Sequence, residues 1–330
     1  MKIDVHTKQR DYSVHIERGS LSHLNEYINC DKPTYIITDD GVPYGYVEMV
    51  MSQLNNCVLK VVPQGETSKS IEVYEECLAE MLEKGFSRKD RVLTLGGGVV
   101  GDLAGFVAAS YMRGIEFVNI PTTTLSQIDS SIGGKTAVNM NGIKNCIGAF
   151  WQPSCVIIDP NVCATLTKRH YHNGLIEALK GGLIADMSLF ECFEQDEWDL
   201  DMILYKAVDM KRKVVEVDER ESGLRKILNF GHTIGHGYES YYGMSGYYHG
   251  ECVGLGMLDM LEGELKDRTM RVLERMKAPV ECDADMHQVL DYVRHDKKSD
   301  HDHIEVVMVK ELGRAEVVKL TWKELEDLGL

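Results

Sequence analysis

No stretch of this 330-residue chain is apolar for long enough to span a bilayer. The longest candidate, 95–112, is interrupted by Asp102 and several glycines. The opening M-K-I-D-V-H-T-K lacks the apolar core of a secretory signal. Cysteine is present but never as C-x-x-C: nine residues are dispersed from Cys30 to Cys282. An odd, scattered set of this kind reads as free thiols in a reducing compartment, so the cytoplasm is the expected location. Positive charge is scarce, with 36 Lys and Arg against 52 Asp and Glu and a net charge of −16. Such a chain repels polyphosphate, which argues against non-specific nucleic-acid binding, and nothing in it calls for a membrane. Internal repeats and low-complexity tracts are lacking too.

What is present is ordinary for a globular protein: 44% hydrophobic and 27% charged residues, in a chain long enough for two cores. Up to about residue 160, short β-branched runs at 35–38, 58–62, 92–95, 117–120 and 156–158 alternate with amphipathic stretches such as 42–54 and 70–84. That alternation predicts a mostly parallel sheet covered by helices. Runs at 3–7 and 12–17 predict a hairpin at its edge. Beyond Pro160, helical patterns dominate at 174–185, 201–217, 226–241, 250–266 and 286–294, and E-L-G-R between 304–309 and 316–320 predicts a late hairpin. The expected organisation is an α/β domain over 1–160 followed by a mainly helical domain over 161–330, with the cleft between them as the default site.

Two segments carry chemistry. The strand at 92–95 runs into Gly96-Gly97-Gly98-Val99-Val100-Gly101-Asp102 and then an apolar helix, which satisfies G-x-G-x-x-G in a strand–turn–helix setting. Glycine lets the backbone approach a pyrophosphate, and the helix N-terminus offers free N–H groups to it. The acidic ribose partner expected about twenty residues later is not convincing, because Glu116 stands at the start of a strand. A variant of the dinucleotide fold is therefore expected. The second segment, 221–251, reads E-S-G-L-R-K-I-L-N-F-G-H-T-I-G-H-G-Y-E and, after a short gap, Y-Y-H-G-E. A helix puts His232 and His236 on one face, a common way to hold a divalent metal; a pair of surface or core histidines is the plain alternative.

Longer motifs go further. The run G-G-G-V-V-G-D-L-A-G-F-V-A-A-S-Y-M-R-G is followed by I-P-T-T-T-L-S-Q-I-D-S-S-I-G-G-K-T-A-V-N and K-N-x-I-G-A-F-W-Q-P. Then come L-I-E-A-L-K-G-G-L-I, L-N-F-G-H-T-I-G-H and H-G-E-x-V-x-x-G-M. Together, over about 38–298, they resemble the 3-dehydroquinate synthase family. The resemblance implies a Rossmann-like α/β domain that binds NAD, a mainly α-helical domain that carries Zn²⁺ or Co²⁺, and a homodimer. It also implies a lyase that converts a small anionic sugar phosphate, 3-deoxy-D-arabino-heptulosonate 7-phosphate, to 3-dehydroquinate and phosphate, the second step of the shikimate pathway.

Carried over position by position, the resemblance makes Glu177, His232 and His249 the metal ligands and moves His236 to the substrate phosphate. Lys135, Lys144, Asn145 and Lys297 join it around the anionic substrate, and Arg113 reaches the phosphate from a neighbouring subunit. Lys211, Arg225 and Asn229 face the carboxylate and ring hydroxyls, while Asp129 and Lys180 meet the reacting hydroxyls. The catalytic set is Lys135, Lys180, His236, Asp129 and Glu221. For NAD the resemblance implies Asp39 on the ribose, Glu66 and Lys69 beside it, and Gly97, Gly98, Val99 and Asp102 at the pyrophosphate. Thr122, Thr123, Leu125, Asp129, Lys135, Lys144, Thr165 and Asn173 complete that pocket. The chain departs from the family pattern at Gly181, where bulkier residues are common, and at Gly41, where Asn is frequent. The rival readings are another sugar-phosphate cyclase, a metal-dependent polyol dehydrogenase, and a non-catalytic protein that binds NAD and metal.

Overall fold

The computed structural model describes residues 1–243, 246–295 and 302–328. Contacts divide the chain into two units, Met1–Thr167 with Lys211–Arg220, and Lys168–Met210 with Glu221–Leu330.

In the first unit the strands are β1 (Lys2–Val5), β2 (Tyr12–Ile16), β3 (Thr34–Asp39), β4 (Cys57–Val62), β5 (Arg91–Gly96), β6 (Glu116–Pro121), β7 (Lys135–Met140), β8 (Ile143–Phe150) and β9 (Cys155–Ile158). Seven of them form one sheet in the order β1-β2-β9-β6-β5-β3-β4. Only β1 is antiparallel to its neighbour; β2, β9, β6, β5, β3 and β4 run the same way. Parallel strands need crossovers, here α1 (Tyr44–Met51) after β3, α2 (Ile71–Glu83) after β4 and α3 (Gly98–Ser110) after β5. Every residue of β5 is buried, as expected of a central strand covered on both faces. Tyr35, Ile37, Val92, Leu103, Val107 and Phe117 form the core between sheet and helices.

The connections fix where a ligand can sit. From β3 the chain goes outward to β4, returns past β3 to β5, and leaves β5 in the opposite direction for β6. The adjacent strands β3 and β5 thus send their next segments to opposite sides. In open parallel sheets the crevice outside the carboxyl ends at such a switch point is where ligands bind. Asp39 ends β3 and Gly96 ends β5, each one residue past the paired Thr38 and Leu95.

All five predicted strands fall inside observed ones, and the 3–7/12–17 hairpin is β1–β2 at the sheet edge. The β7–β8 hairpin is an addition. Its two-residue loop, Asn141-Gly142, has φ of 52° and 77°, the left-handed pair that a tight hairpin needs.

The second unit contains α4 (Lys168–Ala185), α5 (Met187–Glu194) and α6 (Leu200–Val217), whose last residues belong to the first unit. It continues with α7 (His232–Tyr242), α8 (His249–Asp259), α9 (Gly263–Arg275), α10 (Met286–His295), β10 (His303–Glu311), β11 (Arg314–Thr321) and α11 (Trp322–Glu326). α4 is central: Asn173 through Ile184 are all buried. The late hairpin expected from E-L-G-R is β10–β11.

Two helix predictions need correction. The single helix at 226–241 is a 3-10 segment, Leu224–Asn229, and then α7, separated at Phe230 and Gly231. Gly231 has φ 73° and caps α7, a conformation that ends a right-handed helix. The helix at 250–266 stops at Asp259, because Glu262 is extended and Gly263 has φ 56°.

Candidate active site

Three helix positions in the second unit converge. Glu177 lies in the buried middle of α4, His232 is the first residue of α7 and His249 the first of α8. Close backbone approach brings these helices together. A Cβ on Gly256 would lie 2.2 Å from the Gly231 carbonyl oxygen, and one on Gly250 would lie 2.1 Å from that of Asn173. The Gly250 N–H donates to Asn173 Oδ1 at 2.7 Å, and Glu251 forms a two-pronged pair with Arg169 at 2.7 and 2.6 Å. The start of α8 is therefore tied to α4 just where His249 projects.

The donor atoms suit a divalent cation. One atom each from Glu177, His232 and His249 lie within 4.8 Å of one another. Nε2 of both imidazoles stands 3.6 Å from Glu177 Oε1. Nδ1 of His232 faces the Phe230 carbonyl at 3.2 Å, and Nδ1 of His249 faces Glu239 at 2.7 Å. With Nδ1 engaged, each ring presents Nε2 as the ligand nitrogen. Neither oxygen of buried Glu177 accepts a hydrogen bond of good geometry from the described residues. Its company is charge: Lys180, one turn on, pairs with Oε2 and also donates to the Leu228 carbonyl at 2.6 Å. A carboxylate and two imidazoles, with no well-aligned hydrogen bond to the carboxylate among the described residues, fit a catalytic three-ligand site.

Burial is the strongest single influence on Glu177 and disfavours its charge. Lys180, His232 and His249 outweigh it and hold the carboxyl well below its usual range. Burial, then the Lys180 charge, holds His232 neutral. Burial would also push His249 down, but its contacts with Glu177 and Glu239 raise it to about 10.

His236 lies close, its ring 5.5 Å from that of His232 and 6.1 Å from that of His249. His232 and His236 do not share a donor group; His236 groups instead with Glu239 and His249. In the same unit, Asn229 donates to Glu221 Oε1 at 3.0 Å, and Glu221 has a left-handed φ of 60°. Arg225 is buried nearby in sequence, on the 3-10 segment that ends at Asn229. Lys297 lies outside the described residues.

In the first unit the glycine turn stands at the switch point. α3 begins at Gly98, capped by Gly97, so no cap side chain occupies its first N–H groups. A Cβ on Gly97 would meet Thr123 at 3.3 Å and one on Gly98 would meet Ser130 Oγ at 3.1 Å, so the turn, the segment after β6 and the turn at 126–130 are neighbours. Thr122 and Leu125 belong to that segment, and the Thr122 N–H donates to the Gly96 carbonyl at 2.9 Å. Ser126–Ser130 is a π-helical turn, a rare form frequent at functional sites. It carries Asp129, whose carboxylate and carbonyl both accept from Lys211 Nζ at 2.6 Å.

Lys69 donates to Asp102 at 2.5 Å; burial raises the Asp102 carboxyl although Lys69 opposes it. Burial likewise raises Asp39, against the Gly41 and Val42 N–H groups. Glu66 accepts from Asn139, whose Oδ1 accepts from the Asn145 N–H, both at 2.8 Å. Val99 is in the first turn of α3. Lys135, at the start of β7, and Lys144, on β8, are exposed. Arg113 stands exposed with φ 67°, and Thr165 bonds within its own turn, to the Val162 carbonyl at 3.0 Å. Asn173 is occupied at α8, in the other unit. Glu116 starts β6, at the end of the sheet away from the turn, and pairs with Lys32.

The two departures are filled locally. At Gly181 the place of a Cβ is taken by Met210 Cε at 2.5 Å, and at Gly41 by the Gln64 amide at 2.4 Å, each the end of a flexible side chain. Sequence reading did not single out Arg169 or Glu239. The signal for Glu239 was its spacing, seven residues after His232 and three after His236, which puts it on their face of α7.

Residues 59–173 match the family described as 3-dehydroquinate synthase N-terminal, and residues 174–299 that described as 3-dehydroquinate synthase C-terminal. A 3-dehydroquinate synthase from Thermoanaerobacter pseudethanolicus is 40% identical, over 98% of this chain and 98% of that one. A solved 2-deoxy-scyllo-inosose synthase, complexed with carbaglucose-6-phosphate, NAD⁺ and Co²⁺, superposes with TM-score 0.87 at 23% identity, covering 99% of this chain and 98% of the other. A 2-epi-5-epi-valiolone synthase from Streptomyces hygroscopicus with NAD⁺ and Zn²⁺ bound gives 0.84 at 27%, covering 98% and 97%. Those likenesses agree with the α/β and helical architecture, and the matches over both halves mean that this chain belongs to the 3-dehydroquinate synthase family.

Proposed function

We propose that this chain is a lyase that converts 3-deoxy-D-arabino-heptulosonate 7-phosphate to 3-dehydroquinate and phosphate, with NAD and Zn²⁺ or Co²⁺ as cofactors. The observation that carries the reading is the convergence of Glu177, His232 and His249 beside Lys180, in a chain 40% identical to a 3-dehydroquinate synthase. In the net reaction a carbon–oxygen bond to phosphate breaks and a carbon–carbon bond closes the ring. When bound, NAD supplies reversible hydride acceptance and the cation supplies polarisation of neighbouring hydroxyls.

The chain's own residues hold, orient and stabilise. Glu177, His232 and His249 would ligate the cation through one carboxylate oxygen and two Nε2 atoms. Lys180, pinned by the Leu228 carbonyl, keeps Glu177 ionised and offers a fixed Nζ to a substrate hydroxyl. His236 and Arg113 are assigned to the phosphate, and Lys135, Lys144, Asn145 and Lys297 to the cradle around the anionic substrate. Arg225, Asn229 and Lys211 are assigned to the carboxylate and ring hydroxyls, and Glu221 orients Asn229. Lys211 holds Asp129 on its π-turn, and Asp129 is assigned to the reacting hydroxyls. Asp39, the open N-terminus of α3 at Gly97, Gly98 and Val99, and the Lys69–Asp102 pair are assigned to NAD, with Glu66, Thr122, Thr123, Leu125, Thr165 and Asn173. Fixed charges and donors of this kind stabilise anions without reorganising during the reaction.

The rival cyclase reading has a simple discriminator. Protein supplied with NAD and Co²⁺ or Zn²⁺ is expected to liberate inorganic phosphate from the heptulosonate phosphate and not from sedoheptulose 7-phosphate, with no net NADH. Preference for sedoheptulose 7-phosphate would make the chain another sugar-phosphate cyclase; steady NADH accumulation would make it a dehydrogenase. A homodimer and a cytoplasmic location complete the reading; size measurement in solution tests the first.

A further inference from the structure

Glu239 is the carboxylate near the ligand group that the family motifs leave without a task. It shares a face of α7 with His232 and His236, and its Oε1 lies 2.7 Å from Nδ1 of His249. A carboxylate only accepts, so His249 donates its Nδ1–H, and the neutral ring that ligates a cation keeps its lone pair on Nε2. Nε2 is the atom 3.6 Å from Glu177 Oε1. The contact also joins the end of α7 to the first residue of α8, so it fixes ring orientation as well as tautomer.

Among the described residues there is one competing arrangement. His236, Glu239 and His249 form a second group of donors within 4.8 Å, in which Glu239 would itself be a ligand. Using His249 Nδ1 for a cation there would break the 2.7 Å hydrogen bond and leave the buried Glu177 carboxylate with the Lys180 charge but no well-aligned hydrogen bond. Geometry favours Glu239 outside the coordination shell.

We infer that Glu239 is a positioning residue of the metal site: its carboxylate holds His249 as the Nδ1–H tautomer and aims Nε2 at the cation. The inference rests on the metal reading proposed above. Carboxylate–imidazole–metal chains of this type typically contribute 10- to 100-fold in metal affinity.

The test uses the full chain stripped of metal, titrated with Co²⁺ against a chromophoric chelator, with the visible cobalt spectrum recorded and NAD affinity measured alongside. Glu239→Ala is expected to weaken cobalt binding about 10- to 100-fold and to alter the spectrum, with NAD affinity unchanged. Glu239→Gln keeps an acceptor oxygen and is expected to lose distinctly less; it also serves if the alanine variant does not fold. Wild-type affinity and spectrum in Glu239→Ala would overturn the inference. So would loss of cobalt in Glu239→Ala and His236→Ala together with retention in Glu177→Ala, since Glu239 would then be a ligand. A wild-type chain that takes up no stoichiometric cobalt is a separate result: it removes the metal reading itself.

Discussion

At the scale of single residues, the site separates holding from reacting. Glu177 has no hydrogen-bond partner of good geometry among the described residues, and two imidazole nitrogens face it. Glu177→Ala is therefore expected to abolish stoichiometric metal, measured by elemental analysis after gel filtration. His236→Ala is expected to keep the metal and slow phosphate release by about 100-fold or more, the size of a lost proton-transfer or anion contact. Loss of metal in that variant would make His236 a ligand. The proton on His249 gives a pH signature. Its value is raised from 6.5 to about 10, so the metal-free chain gains stability from that proton below 6.5 and loses it as pH rises through about 10. Metal uptake must expel the proton. Calorimetry in buffers of different ionisation enthalpy is expected to show about one proton released per metal near pH 8, falling toward none above about 10. Most of these residues were legible because they lie in long motifs. Glu239 was not, since its role comes from a contact between two helices.

At the scale of elements, strands were easier to read than helix ends. β-branched runs flanked by turns mark β3, β4, β5, β6 and β9 locally. The helices that frame the site end for reasons that hydrophobic periodicity does not carry, namely the left-handed backbone at Gly231 and Gly263. Asn141-Gly142, between β7 and β8, is a hairpin signal carried by two residues alone. Gly231 is the sharpest test at this scale. A Cβ there would lie 2.6 Å from Met257 Cγ and 2.7 Å from the Val253 carbonyl oxygen, at φ 73°. The left-handed backbone alone costs about 1–2 kcal/mol for an L side chain, and the clash about 1–3 more. Gly231→Ala is expected to lower the thermal midpoint by several degrees and weaken metal binding together, because α7 starts at His232. A shift in midpoint without a change in metal affinity would separate the two.

At the scale of the whole molecule, the order of strands matters more than any one motif. A glycine turn alone is weak, yet at the carboxyl end of β5, beside Asp39 on β3, it occupies the switch point of a parallel sheet. That topology also explains why no acid follows the turn at the usual distance: Glu116 lies at the far end of β6, while Asp39 precedes the turn in sequence and neighbours it in space. Strand order is set by long-range pairing and could not be read from periodicity. Asp39→Ala is expected to weaken NAD binding about 10- to 100-fold, the loss of a charged hydrogen bond, with the metal site unaffected. Equilibrium dialysis with NAD measures it, and unchanged affinity would move the ribose elsewhere.

The claim on which the rest depends is the identity of the cation's ligands, and anomalous scattering from crystals grown with Zn²⁺ tests it most directly. The account predicts a single strong peak about 2.0–2.2 Å from Glu177 Oε1 or Oε2, His232 Nε2 and His249 Nε2. A peak held instead by His236 and Glu239, or none at stoichiometric occupancy, would contradict it.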